Sequence, residues 1–249
     1  MTTDKIVSLV PSITLTLFDL GLEKRIVGRT KFCIHPKEKV QQIPTVGGTK
    51  QLDLEKIREL KPGLIIANKE ENEKEQIEAL QKEFKVWVTD VKNLDDNYKM
   101  LAELGKLTGT VKHARQIIED TQQEFAELRF YLQTYAYKNI KTLYLIWRKP
   151  YMSIGNDTFI HAMLVQMGLK NVFENEKRYP EISDLSGINC RLVLLPSEPF
   201  PFTEKHLAEI RQQLPNAQVM LIDGEFFSWY GSKMQAAPNY FREILSAIN

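Results

Sequence analysis

The stretch VKHARQIIEDTQQEFAELRFYLQTY, residues 111–135, decides the fold. Its apolar residues recur at alternating spacings of three and four: Val111, Ala114, Ile118, Phe125, Leu128, Leu132 and Tyr135. Thr121 is the polar residue that falls in the row. That period is helical. Gly105 and Gly109 punctuate the sequence before it, and Thr110 suits an N-cap. At about 1.5 Å per residue the helix runs roughly 40 Å. A helix of that length, set between two similar halves, reads as a strut joining two lobes.

Working outward, the N-terminal half opens with a strand, Ile6 to Val10. Pro11-Ser12 starts a helix, with Ser12 as cap, and Gly21 ends it. A short strand, Arg25 to Gly28, follows. A helix from Leu54 to Leu60 stops at Lys61-Pro62-Gly63. The apolar run Leu64 to Ala67 is framed by turn residues and reads as a buried parallel strand. A charged helix, about Glu73 to Glu83, precedes the strand Val86 to Thr89.

The C-terminal half repeats this order. Thr142 to Trp147 is a strand, and the loop Arg148 to Asp157 feeds a helix through Phe159, Met163 and Met167. Gly168-Leu169 matches Gly21-Leu22, and Leu192 to Leu195 matches Leu64 to Ala67. A helix from Glu204 to Gln213 leads to Val219 to Ile222, which ends in Asp223 as Val86 to Thr89 ends in Asp90. The expected class is α/β: two Rossmann-like lobes with mostly parallel sheets, joined by one long backbone helix. The boundaries are 1–94 for the first lobe, 95–138 for the helical linker and 139–249 for the second lobe. One continuous doubly wound domain is the alternative, since its βα units also look alike.

Composition narrows the function. Lys+Arg total 33 against Asp+Glu 32, a net charge of +1, which gives no reason to expect nucleic acid or an anionic membrane as partner. No apolar run approaches the ~20 residues of a membrane span. Two distant cysteines, Cys33 and Cys190, make no disulfide framework. The first strand begins close to residue 1, so a cytoplasmic protein is expected as written, unless a leader has been removed.

Ligands of open α/β sheets sit beyond the carboxyl ends of strands. The segments to inspect are therefore Pro11 to Thr14, Asn68 to Asn72, Arg148 to Asn156, Ser197 to Phe202 and Asp223 to Ser232. The last holds four aromatics, Phe226, Phe227, Trp229 and Tyr230. They suit the face of a large planar ligand, or they plug the core of the lobe. Trp147-Arg148-Lys149-Pro150-Tyr151 offers Arg148 and Tyr151 to an amide or carboxylate, or forms an exposed basic turn. Cys33 and His35 are two residues apart. A metal site there needs further ligands such as Glu70 or Asp223, and a nucleophile needs an oriented base. A pocket-wall role suits both better. No metal-ligand spacing supports a resident metal. Gly47-Gly48 lacks the phosphate-loop frame. The charge run Glu70 to Glu75 suits a helix start, and Glu198 and Glu204 fall at comparable places in the second half. Acidic patches on both lobes would dock onto basic patches of a partner.

The opening Ile6-Val7-Ser8-Leu9-Val10-Pro11-Ser12-Ile13-Thr14 resembles that of the substrate-binding proteins of cobalamin and iron-siderophore ABC importers. So does Leu54-Glu55-Lys56-Ile57 followed by Leu60 to Ala67, although Gly63 stands where Asp is usual. The resemblance covers nearly the whole chain and is nearest to the cobalamin-binding branch. It implies two lobes bridged by one rigid helix, a ligand between them and small lobe motion. It further implies a non-enzymatic, monomeric, periplasmic protein with no cofactor, whose partners are a corrinoid and an ABC permease. Haem, a ferric siderophore or a bare metal ion are the alternative ligands. A cytoplasmic enzyme using Cys33, His35 or Asp223 is the alternative activity. The ligand-binding residues expected are Pro11, Ser12, Cys33, His35, Asn68, Lys69, Glu70, Trp147, Arg148, Tyr151, Glu198, Phe227, Trp229 and Tyr230. Glu73, Glu75 and Glu204 are the closest matches to the acidic residues with which the family docks.

Overall fold

The computed structural model describes residues 5–135 and 139–248. The first four residues of the expected N-terminal lobe, residues 136–138 of the linker, Asn249 and the side chain of Tyr135 lie outside the described residues. The chain forms two compact units. The first takes residues up to Val91, Asp95–Asp120 and Trp229–Lys233; the second takes Lys92–Leu94, Thr121–Ser228 and the chain from Met234 onward.

In the first unit, β1 (Ile6–Ser8), β2 (Ile26–Arg29), β3 (Leu64–Asn68) and β4 (Val86–Thr89) form one sheet in the order β2-β1-β3-β4. Every pairing in it is parallel. The helices α1 (Pro11–Asp19), α2 (Lys37–Val40), α3 (Leu54–Leu60) and α4 (Lys74–Gln81) connect the strands. β3 is buried along its whole length, as a central parallel strand covered on both faces must be. Its Ile65 and Ala67 pack with Val7, Leu9, Val46, Ile57, Ile77 and Leu80. Burying each such aliphatic side chain contributes about 1.5–3 kcal/mol. Asp53 caps α3 by accepting from the Lys56 amide at 3.0 Å. Ser12 is not the cap of α1; Val10 occupies that position and Pro11 follows inside the first turn, where its fixed φ fits and its missing N–H costs nothing.

The helix α5 (Leu94–Thr108) precedes α6 (Val111–Tyr135), the 25-residue helix that carries the chain from one unit into the next. Gly105 lies inside α5 and does not break it. A Cβ there would meet Cβ of Ala114 at 2.7 Å, so the glycine lets the two helices approach. The buried side of α6 is Ala114, Ile117, Thr121, Phe125, Leu128 and Leu132. It differs from the expected row at two places. Val111 is exposed, and Ile117 is more deeply buried than Ile118.

The second unit repeats the design. Its strands are β5 (Ile140–Tyr144), β6 (Tyr151–Met152), β7 (Leu169–Asn171), β8 (Glu181–Ile182), β9 (Leu192–Pro196) and β10 (Gln218–Ile222). The sheet runs β10-β9-β5-β7, all parallel, and β6 pairs antiparallel with β8. The helices are α7 (Phe159–Gln166), α8 (Glu204–Gln213), α9 (Glu225–Ser228) and α10 (Ala237–Ser246). The core gathers Leu143, Leu145, Val193, Leu195, Leu207 and Ile210. Sequence patterning missed α9 and α10, and also the antiparallel pair β6–β8. Among the described residues no helix is long and apolar enough to cross a membrane.

Candidate functional site

Both sheets change winding direction at their first strand. In the first unit β1 leads to β2 on one side and to β3 and β4 on the other; in the second, β5 leads to β7 on one side and to β9 and β10 on the other. Ligand crevices of open α/β sheets lie beyond the carboxyl ends of strands at that switch. The residues there are Pro11 and Ser12 after β1, Lys69 and Glu70 after β3, Trp147 after β5, and Ser197 and Glu198 after β9.

In the first unit the switch loops are held by two buried asparagines. Asn68 accepts from the amides of Glu70 at 2.8 Å and Glu71 at 3.2 Å, while Asn72 accepts from the Asn68 amide at 2.8 Å. Asn72 also donates to the Thr49 carbonyl at 3.1 Å. Asn68 is thus a scaffold for Lys69 and Glu70. Lys69 is exposed and pairs with Asp90 at 3.1 Å. The loop after β2 presents Phe32 and Ile34, 50% and 48% exposed, on either side of the wholly buried Cys33. Thr14 Oγ1 donates to Cys33 Sγ at 3.1 Å, and the Thr30 hydroxyl lies 3.2 Å from the same sulfur. Burial pushes the Cys33 thiol up, with a further push from the charge of Glu71. The thiol is therefore protonated and poorly nucleophilic at neutral pH. His35 lies edge-on to Trp229, with ring centroids 5.5 Å apart. Trp229 and Tyr230 are buried, as is Ser12, and Pro11 is half-buried.

In the second unit the switch is aromatic. Trp147 stands edge-on to Phe200 with centroids 5.7 Å apart, and Phe200 touches Phe202 and the ring of His206. Trp147 is 43% exposed. Beside it, Arg148 Nε donates to both carboxylate oxygens of Glu209 at 3.1 Å, and Nη2 donates to Oε2 at 2.8 Å. The Tyr151 hydroxyl donates to the same carboxylate. The hydrogen bonds from Arg148, then Tyr151, hold the Glu209 carboxyl below its ordinary range. Glu198 accepts from Ser228 Oγ at 2.6 Å, and the Gly224 amide donates to Ser197 Oγ at 3.0 Å.

The structure assigns different duties to the expected aromatic loop. Phe227 is 0% exposed and packs against Tyr144 and Phe241 within the second unit, so it is a plug of that core. Trp229 and Tyr230 belong to the first unit. At the switch loops the exposed aromatic surface comes instead from Trp147, with Phe200 against it, and from Phe32. Phe32 and Ile34 were missed as candidates, and Phe200 was not singled out within the segment Ser197 to Phe202. Their signal was position, a few residues past a strand end. Of the acidic candidates, Glu73 occupies the N-cap position of α4 and pairs with Lys50 at 3.2 Å. Glu75 and Glu204 lie exposed in the first turns of α4 and α8. Among the described residues no group of three His, Cys, Asp or Glu converges as metal ligands would.

The two α/β units share one winding, and each presents loops at its switch point. The profile of the periplasmic binding protein family matches residues 6–188, and the chain belongs to that family. It is 28% identical to an uncharacterised ABC transporter substrate-binding lipoprotein, YvrC, of Bacillus subtilis (strain 168) over 188 residues. That match covers 72% of this chain and 59% of the relative, less than two thirds of its length. It is 24% identical to a vitamin B12-binding protein of Vibrio cholerae, covering 82% of this chain and 71% of that one. The crystal structure of a periplasmic haem-binding protein from Pseudomonas aeruginosa superposes with a TM-score of 0.84 at 18% identity, covering 99% of this chain and 94% of that one.

Proposed function

We propose that the chain is the substrate-binding protein of an ABC importer and that its ligand is cobalamin or a related corrinoid. The observation that carries the ligand is the Trp147–Phe200 pair, exposed at the switch point beside a guanidinium already neutralised by Glu209. An aromatic face favours a large flat ligand. Haem and ferric siderophores of the hydroxamate or catecholate kind bring anionic groups or a hard metal centre, and a guanidinium held by its own carboxylate is a poor partner for an anion. A corrin periphery of neutral amides asks instead for apolar walls and a few backbone groups. Phe32 and Ile34 supply a second apolar surface. In the first unit Pro11, Lys69 and Glu70 supply polar or shaping contacts, with Asn68 holding their loop; in the second unit Glu198 does so, while Arg148 and Tyr151 bond to Glu209 beside Trp147.

The protein works as a monomer in this reading, with one ligand per chain. Glu75 and Glu204 dock the permease, with Glu73 as a third contact. Native mass spectrometry of the protein titrated with cyanocobalamin, haem and a ferric hydroxamate tests the assignment. A 1:1 cyanocobalamin complex is expected. A complex with haem or the siderophore and none with any corrinoid overturns it.

A further inference from the structure

Glu209 sits on α8, far in sequence from Trp147, yet its single carboxylate holds both arms of the turn that starts there. Arg148 reaches it from one arm and Tyr151 from the other. Between them Lys149 adopts a positive φ of 65°, so the turn is tight and carries a residue in a backbone region that side chains disfavour. Trp147 and Met152 close its base, with the Met152 amide donating to the Trp147 carbonyl at 3.2 Å. The same helix α8 also carries His206, whose ring lies 5.3 Å from Phe200, the ring against which Trp147 stands. One helix thus fixes the turn on one side of the tryptophan and the aromatic ring on the other.

We propose that Glu209 is a positioning residue: it holds the Trp147 side chain in one orientation against Phe200, ready for ligand. That Trp147 then meets a corrinoid rests on the function proposed above. Without the carboxylate, Arg148 and Tyr151 release the turn, Trp147 samples several rotamers, and binding must order it again.

The test uses protein labelled with 5-fluorotryptophan. Its fluorine spectrum separates Trp87, Trp147 and Trp229, and the line lost in Trp147→Phe identifies Trp147. Glu209→Gln is expected to shift or broaden the Trp147 line while leaving the other two in place. Arg148→Gln should do the same, and the double variant should add nothing further. Cyanocobalamin affinity should fall about tenfold in each, with the secondary structure by circular dichroism unchanged. An unchanged Trp147 line in both single variants overturns the proposal. So does a shifted line with unchanged cyanocobalamin affinity, if Trp147→Ala does weaken binding. A wild-type protein that binds no corrinoid, but whose Trp147 line still responds to Glu209→Gln, supports the positioning role and removes the ligand assignment instead.

Discussion

Trp147 meets Phe200 edge-on, with ring centroids 5.7 Å apart and an interplanar angle of 72°. The two come from the carboxyl ends of β5 and β9, adjacent strands on which the winding of the second sheet reverses. An exposed tryptophan held by a second ring has its rotamer chosen before any ligand arrives. Trp147→Ala is expected to weaken cyanocobalamin binding by about 1–2 kcal/mol, roughly 5- to 30-fold, from lost apolar contact and ring geometry. Phe227→Leu should instead lower the melting temperature and leave affinity near wild type, since that ring lies in the core. Calorimetric titration beside thermal denaturation separates them, and the reverse pattern would sink the site.

Docking is tested by charge reversal. Glu75→Lys with Glu204→Lys should abolish stimulation of the permease ATPase while leaving ligand affinity intact. Glu73→Lys should do less, because Glu73 is already paired with Lys50. Exposed charges tune encounter and orientation, so the wild-type effect should fade as salt rises. Stimulation equal to wild type in the double variant removes these residues from the interface.

Cys33 is expected to be silent. Burial raises its thiol, and that of Cys190 is pushed up to about 11. Native protein at pH 7.5 should resist iodoacetamide and should label at both cysteines once unfolded in urea. Cys33→Ser should keep its ligand. Rapid native labelling of Cys33, or a hydrolytic activity lost in that variant, would revive the enzyme reading.

Acid should destabilise the fold as its buried histidines take up protons. His206 and His161 are both held below the ordinary histidine range by burial, with the charges of Lys205 and Arg148 adding to the effect at His206. A histidine whose folded-state pKa is lowered binds protons more readily in the unfolded chain. Its neutral form stabilises the fold at pH above about 6.5, and that contribution is lost as pH falls from there toward the folded pKa. The geometry agrees, since His206 Nδ1 accepts from the Thr203 amide at 2.9 Å as part of the cap of α8, which a proton on that nitrogen would break. Melting temperature should therefore drop between pH 6.5 and 5, and drop less in His206→Asn with His161→Gln. Parallel curves for the variant and the wild type would refute this.

Gly231 has a φ of +85°, and a Cβ there would fall 2.1 Å from Thr16 Oγ1. Its amide donates to Asn97 Oδ1 at 2.6 Å, so the residue has no freedom to move away. Gly231→Ala should cost about 1–3 kcal/mol of stability from backbone strain and the clash. Gly187→Ala, with nothing within 4 Å of the added carbon, is the control and should be close to neutral. Equal losses at both sites would contradict the argument.

Periodicity made the long helix and the repeat of parallel strands legible, because burial on one face leaves a mark at every turn. It could not choose Ile117 over Ile118, which are neighbours and both apolar. The aromatic run after β10 was legible as important and illegible in detail: walls and plugs use the same residues, and only packing against Tyr144 and Phe241 shows that Phe227 is a plug. Cys33 drew notice for its chemistry, yet its neighbours Phe32 and Ile34 are the ones turned outward. The Glu209 clamp leaves no sequence signal, since Arg148 and Glu209 are 61 residues apart and their meeting depends on the sheet order.

Residues 229–233 belong to the first unit, although nearly all of the second has been traversed by then. Gly231 bonds to Asn97, and Ser232 bonds to Thr16 and Asp19 near the other end of the chain. Synthesis therefore cannot finish the units in the order in which they are written. While the ribosome still holds the last stretch, the first unit lacks a piece of its own packing, and a fragment cut anywhere before residue 229 inherits the same gap. A separately expressed first half should therefore be a poor folder.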